Sequence, residues 1–169
     1  MIAMVALAAI ACSRRTTPVS SSPQRTDDIV IVYDNDVHCS VDGYAKIAAL
    51  KAEKQALTPY VTLISAGDFV QGGSMGAASK GGWIVTIMNA AGYDYVTLGN
   101  HEFDYAMPRL KELTSDLSAT VLCCNLIDLT AGKRMYKAWE IVDYGGTKVA
   151  FIGAATPYSF NSSTPAFFQ

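Results

Sequence analysis

Three short apolar runs constrain this chain most: IVIVY at 29–33, YVTLIS at 60–65 and YVTLG at 95–99. Each is rich in β-branched or aromatic residues, as strands are, and each gives way at once to polar residues or glycine. Segments with helical spacing follow. GYAKIAALKAEKQAL (43–57) sets Tyr44, Ile47, Leu50 and Leu57 near one face, with Lys and Glu between them. SKGGWIVTIMNAAG (79–92) predicts a helix that starts after its glycines and stops at Gly92. MPRLKELTSDL (107–117) groups Leu110, Leu113 and Leu117, with Pro108 near the first turn. ATVLCCNL (119–126) reads as a fourth strand, and 135–156 as two strands around the turn signal Gly145-Gly146. Alternating strands and helices predict an α/β fold with a mostly parallel sheet and right-handed crossovers. The unbroken apolar run at 29–33 is expected to be buried on both faces.

The chain has 169 residues, half of them apolar, with a net charge of −2. That is enough for one domain with a substantial core, and there is no basic excess for a nucleic-acid polymer. The N-terminus reads differently from the rest. MIAMVALAAIAC (1–12) has the length of a signal-peptide apolar segment and is short for a membrane span. With Ala9 and Ala11 ahead of Cys12, it resembles a bacterial lipoprotein signal in which Cys12 is lipidated; a buried strand or short helix is the alternative. SRRTTPVSSSPQRTDD (13–28) has no periodicity and reads as a flexible tether. Together these segments predict export to the periplasm or cell surface on a lipid anchor, with the folded domain occupying 29–169. The remaining cysteines are Cys39, Cys123 and Cys124; an odd number with an adjacent pair argues against a disulfide framework. Cys123 and Cys124 read as small core residues.

In open parallel sheets, ligands bind beyond the carboxyl ends of the strands. The candidates are therefore Asp34, Asn35, Asp36 and His38 after the first strand, and Gly67 and Asp68 after the second. Gly99, Asn100 and His101 follow the third, with Asp104 three residues on. If 36–38 is extended, Asp36 and His38 point the same way and Cys39 points away. Gly67 and Gly99 allow sharp turns. Carboxylates mixed with an imidazole and an amide oxygen suit Mn, Zn, Fe or Co better than Ca. A divalent ion removes the repulsion between converging carboxylates, and an Asp such as Asp68 can bridge two ions, the clamp used for displacement at phosphorus. Taken singly, each piece has a plainer reading: a turn Asp beside a satisfied His, a Gly-Asp turn, or Asp104 as a cap for the helix containing Leu110. Asp34, Asn125 and Gln71-Gly72-Gly73 read as structural.

NDVH, SAGDFVQGG and LGNHEFD, in that order and each after a strand, resemble the calcineurin-like metallophosphoesterases. More narrowly they resemble the 5′-nucleotidases and their UDP-sugar hydrolase relatives, over about Ile29 to Thr156, and FIGAATPYS also resembles the strand and loop that follow the hairpin in that family. The resemblance implies the N-terminal half of a metallophosphoesterase α/β sandwich, with a mostly parallel sheet, flanking helices and a hairpin near the C-terminus. It also implies two divalent metal ions, of Zn, Mn, Co, Fe or Mg. Asp36 and His38 would ligate the first, Asp68 would bridge, and Asn100 would ligate the second; His101 and Asp104 would form the catalytic pair. In the mechanism so implied, a metal-bound hydroxide attacks phosphorus. Cationic His101 stabilises the developing charge and helps the leaving oxygen depart, while Asp104 orients the imidazole. The expected activity is hydrolysis of 5′-nucleotides to nucleoside and phosphate. A cyclic-nucleotide phosphodiesterase, a nucleotide-sugar pyrophosphatase and a catalytically incomplete surface lipoprotein fragment are the alternatives. The family pattern continues with more histidines, ending in Gly-His-x-His, and a separate nucleoside-gripping domain, whereas this chain has only His38 and His101. A partial catalytic domain, completed in cis or in trans, is therefore expected; alone it should bind metal weakly and hydrolyse poorly.

Overall fold

The computed structural model describes residues 26–168. The signal segment with Cys12 and most of the tether lie outside the described residues. Residues 26–28 are already docked against the fold: Thr26 N–H donates to the Leu57 carbonyl at 2.8 Å, and the Thr58 hydroxyl donates to the Asp28 carbonyl at 2.8 Å.

Four parallel strands lie side by side in chain order: β1 (Val30–Asp34), β2 (Val61–Ser65), β3 (Tyr95–Val96) and β4 (Thr120–Val121). Helix α1 (Val41–Gln55) joins β1 to β2, and α2 (Gly73–Ser79) and α3 (Gly82–Ala91) join β2 to β3. A 3₁₀ turn (His101–Phe103) and α4 (Ala106–Asp116) join β3 to β4. Two antiparallel hairpins follow: β5 (Ile127–Asp128) with β6 (Lys133–Arg134), then β7 (Trp139–Tyr144) with β8 (Thr147–Ile152). The described chain closes with α5 (Ser159–Ser162) and a 3₁₀ turn (Pro165–Phe168). This is the expected α/β class with its C-terminal hairpin. Register aligns the strand ends: Asp34 pairs with Ser65, and Ser65 with Val96, so the loops after β1, β2 and β3 leave from one edge.

The core lies between the sheet and α1, α3 and α4. Leu63, Ile84, Met88, Leu98, Phe103, Leu110 and Leu113 are each at most 1% exposed. Burying a side chain of this size stabilises the fold by about 1.5–3 kcal/mol. Leu110 and Leu113 come from the amphipathic face of α4, as their spacing predicts. Among the described residues no helix is long and apolar enough to cross a membrane.

Several elements differ from expectation. The first strand is not buried on both faces: Val32 is 6% exposed, but Tyr33 is 70% and Ile31 36% exposed. β1 is an edge strand, and no layer of the described residues covers its second face. The helix expected within 79–92 is present as α3, from Gly82 to Ala91 with left-handed Gly92 closing it, but a further helix, α2, precedes it, set apart by left-handed Lys80 and Gly81 (φ 46° and 82°). GSMGAAS shows no apolar period, so α2 left no trace in the sequence pattern. The runs at 95–99 and 119–126 pair regularly over only two residues each before the backbone turns away. Cys39, Cys123 and Cys124 are all free thiols, the first two buried and Cys124 partly so.

Candidate functional site

The loop after β1 turns on left-handed residues rather than running extended. Asp36 (φ 54°), His38 (φ 46°) and Cys39 (φ 62°) are all left-handed, and so is Asp68 (φ 58°) on the neighbouring loop. This corrects the extended reading of 36–38. Each such residue costs roughly 1–2 kcal/mol unless its surroundings hold it. Here the neighbouring loop does so: Asp36 N–H donates to the Gly67 carbonyl at 3.2 Å and His38 N–H to the Asp68 carbonyl at 3.0 Å. Asp36 and His38 thus converge through a turn laid upon the next loop. Cys39 faces inward, its thiol donating to the Phe69 carbonyl at 3.3 Å. Burial and then the charge of Glu102 push that thiol up to about 11, so it stays protonated and is a poor ligand.

Asp36, His38 and Asp68 each offer one ligand atom, and the three atoms lie within 4.8 Å of one another. His38 Nε2 is 3.7 Å from Asp36 Oδ1, and His38 Nδ1 is 3.2 Å from the Gln71 carbonyl. With Nδ1–H donating to that carbonyl, Nε2 keeps its lone pair for the cluster. The Asp36 carboxyl is held above its ordinary range, chiefly by sharing a hydrogen bond with Asp68 and then by loss of solvation and by the Asp68 charge. Two carboxylates driven together beside an open imidazole nitrogen fit a divalent cation of the Mn, Zn, Fe or Co class. The fit depends on a close approach of backbones. A β-carbon at Gly67 would fall 2.4 Å from Gly99 N, and one at Gly99 would fall 2.3 Å from Asp68 Oδ1.

His101 begins the 3₁₀ turn beside this cluster. Its backbone N–H donates to Asp68 Oδ1 at 2.8 Å, and its ring lies edge-on to that of His38, with centroids 4.9 Å apart. His101 Nδ1 is 2.6 Å from Asp104 Oδ2, while Asp104 Oδ1 accepts the Ser163 hydroxyl at 2.9 Å. Burial alone lowers the basicity of His101. The Asp104 hydrogen bond and charge, with Asp68 and Glu102, outweigh it and raise the imidazole above its ordinary range. Asp104 does not cap α4: Tyr105 holds the cap position, without a side-chain bond. Asn100 is half-buried between Gly99 and His101, the two residues that touch Asp68. Asp34 stands outside the cluster, accepting a hydrogen bond from the Tyr93 hydroxyl. Asn125 is structural, exchanging two hydrogen bonds with the backbone of Ala155.

Two residues escaped the sequence reading. Glu102, 1% exposed, accepts backbone N–H groups from Asp68, Phe69, Val70 and Gly99. Its sequence signal is its place in LGNHEFD, a carboxylate set between His101 and the apolar Phe103. Ser163 has no local signal, because its partner Asp104 lies 59 residues away.

Residues 30–163 match the family model of the calcineurin-like phosphoesterases. The chain belongs to that family. This calcineurin-like phosphoesterase chain is 34% identical over 121 residues to a 5′-nucleotidase of Vibrio vulnificus (strain CMCP6), covering 72% of the chain and 22% of that protein. It is 30% identical over 169 residues to the 5′-nucleotidase of Bos taurus, covering 84% of the chain and 29% of that protein. Among solved structures, the NAD nucleotidase of Haemophilus influenzae superposes with a TM-score of 0.69 at 26% identity, over 79% of this chain and 27% of its own. A putative 5′-nucleotidase from Staphylococcus aureus shares the fold, with a TM-score of 0.70 at 23% identity, over 82% of this chain and 31% of its own. The chain thus spans about a quarter of the length of the curated relatives it matches.

Proposed function

We propose that this chain carries part of the catalytic machinery of a metal-dependent phosphate-ester hydrolase acting on 5′-nucleotides. The observation that carries the reading is the convergence of Asp36, His38 and Asp68 within 4.8 Å, beside the His101–Asp104 pair. The 5′-nucleotidase relatives support the substrate class. Asp36 and His38 would hold one divalent ion, Asp68 would be shared, and Asn100 would serve a second. When bound, such ions neutralise phosphoryl oxygens and activate water. Gln71 fixes the tautomer of His38. Asp104 Oδ2 accepts Nδ1–H of His101 and keeps the ring protonated, leaving Nε2–H to meet the leaving oxygen. Ser163 saturates the other Asp104 oxygen, so the carboxylate cannot turn away from the ring.

The relatives are much longer, which supports a site completed by further residues, in cis or in trans. We assign 1–12 as a lipoprotein-type signal, 13–28 as a tether and 29–169 as a partial catalytic domain, exported and anchored through Cys12. The test is a Mn²⁺ titration of the chain followed by water-proton relaxation, with 5′-AMP turnover measured alongside. Saturable binding that Asp68→Asn abolishes and His101→Ala leaves within twofold is expected, with His101→Ala removing whatever turnover is present. Non-saturable binding, or binding indifferent to Asp68→Asn, overturns the reading.

A further inference from the structure

We propose that Glu102 is a positioning residue for the metal centre: its carboxylate, cradled by backbone N–H groups of two loops, holds Asp68 in its left-handed conformation and so sets the spacing of the ligand cluster. The inference rests on the metal-dependent reading above and adds to it a residue that touches no ligand atom.

Glu102 Oε1 accepts the N–H groups of Phe69 at 2.8 Å and Val70 at 3.3 Å, while Oε2 accepts those of Asp68 at 2.9 Å and Gly99 at 2.6 Å. Successive N–H groups converge on one anion when a left-handed residue interrupts the backbone, forming a concave nest. Asp68, at φ 58°, is that residue. The anion in the nest is the chain's own carboxylate. Among the described residues Glu102 has no ion-pair partner, so aligned N–H dipoles are what offsets part of the cost of burying it. A buried carboxylate persists only with such compensation.

The consequence reaches the cluster through Asp68. Its N–H is held by Glu102, its carbonyl accepts His38 N–H at 3.0 Å, and its Oδ1 accepts His101 N–H at 2.8 Å. One residue thus joins all three loops, and Glu102 holds its backbone from below. Oε2, shared by Asp68 and Gly99, ties the loop after β2 to the loop after β3 at a single atom. A carboxylate that merely filled space would need no such bridge.

Glu102→Gln tests the point. It keeps the volume, removes the charge and turns an NH₂ group toward backbone donors. Leu113→Ala, in the core of α4 and 1% exposed, serves as a control that destabilises the fold without removing a hydrogen bond of the nest. Mn²⁺ affinity of the full chain is measured by water-proton relaxation, with folding followed by circular dichroism. Glu102→Gln is expected to weaken Mn²⁺ about 10–100-fold, the usual effect of losing a group that orients ligands, with Leu113→Ala within twofold of wild type. Affinity within twofold in folded Glu102→Gln, or an equal loss in Leu113→Ala, overturns the proposal. If Glu102→Gln does not fold, the metal-free wild type decides. Amides of Asp68, Phe69 and Gly99 with low-field proton shifts and slow exchange support the nest, and ordinary shifts with fast exchange overturn it. Wild-type chain that binds no Mn²⁺ removes the metal reading and this inference together. Wild-type binding that survives Glu102→Gln removes only the role of Glu102.

Discussion

Gly99→Ala adds one methyl group at the closest approach in the site. A β-carbon there falls 2.3 Å from Asp68 Oδ1, 2.6 Å from its Cγ and 2.8 Å from its N, where ordinary contact begins at 3.4 Å. Gly99 is not among the left-handed glycines, so the penalty is steric rather than conformational. Roughly 1 Å of separation must be found between two rigid loops, and overpacking of this kind costs about 1–3 kcal/mol. Two escapes are open. The Asp68 carboxylate can swing away, which breaks its bond to His101 N–H and removes it from Asp36 and His38. Alternatively the β3 loop can retreat, which breaks the bond from Gly99 N–H to Glu102. Either way the ligand cluster opens. At about 2–4 °C per kcal/mol for a chain of this size, thermal unfolding should move down by several degrees. Mn²⁺ affinity should fall about 10–100-fold, as for other losses of ligand orientation. Thermal scans by circular dichroism and Mn²⁺ titration by water-proton relaxation read both. A Gly99→Ala chain with unchanged melting temperature and Mn²⁺ affinity within twofold of wild type refutes the close-approach reasoning.

Gly43→Ala is the opposite case: its β-carbon meets nothing closer than Val37 Cγ1 at 3.9 Å, in the first turn of α1. It should stabilise the chain by about 0.5–1 kcal/mol in urea unfolding, and a loss of stability counts against the assigned helix start. Asp128 accepts N–H groups from Thr130 at 2.9 Å and Ala131 at 3.0 Å, and these bonds hold its carboxyl below the ordinary range. A depressed native value stabilises above the unfolded value of about 3.9 and is lost as pH falls through the native one, so Asp128→Asn should be destabilising at pH 7 and progressively less so as pH falls below the unfolded value. Equal effects across that range exclude the charge contribution. At pH 8, iodoacetamide on the native chain should spare the buried thiols Cys39 and Cys123 and, among the cysteines of the described residues, modify the partly exposed Cys124 first, as read by peptide mass mapping. Early labelling of Cys39 contradicts its inward orientation.

The order of strands and helices was legible because it rests on local physics. IVIVY and YVTLIS have the β-branched composition of strands, and Leu110 and Leu113 the spacing of a helix face. A chain alternating in this way forms a parallel sheet whose loops meet at one edge, so Asp36, His38, Asp68 and His101 could be grouped before any coordinates. Gly145-Gly146 marked the last hairpin for the same local reason. Asp104 has two readings in the sequence, and only the fold shows Tyr105 in the cap position and Asp104 Oδ2 at 2.6 Å from His101 Nδ1.

What the sequence could not reveal depends on partners distant along the chain. Left-handed Asp36, His38 and Asp68 carry an intrinsic cost, and only the crossed hydrogen bonds between loops offset it, so local propensity pointed to an extended segment instead. The exposure of Tyr33 and Ile31 is set by which layer packs on β1, a property of the assembled fold. Glu102 and Ser163 acquire their roles from partners up to 34 and 59 residues away. The sequence by itself determined which chemical groups reach the strand ends, since strand periodicity and motif position are local. Tertiary structure alone decided how those groups face one another, because their angles are held by hydrogen bonds that exist only once the loops have met.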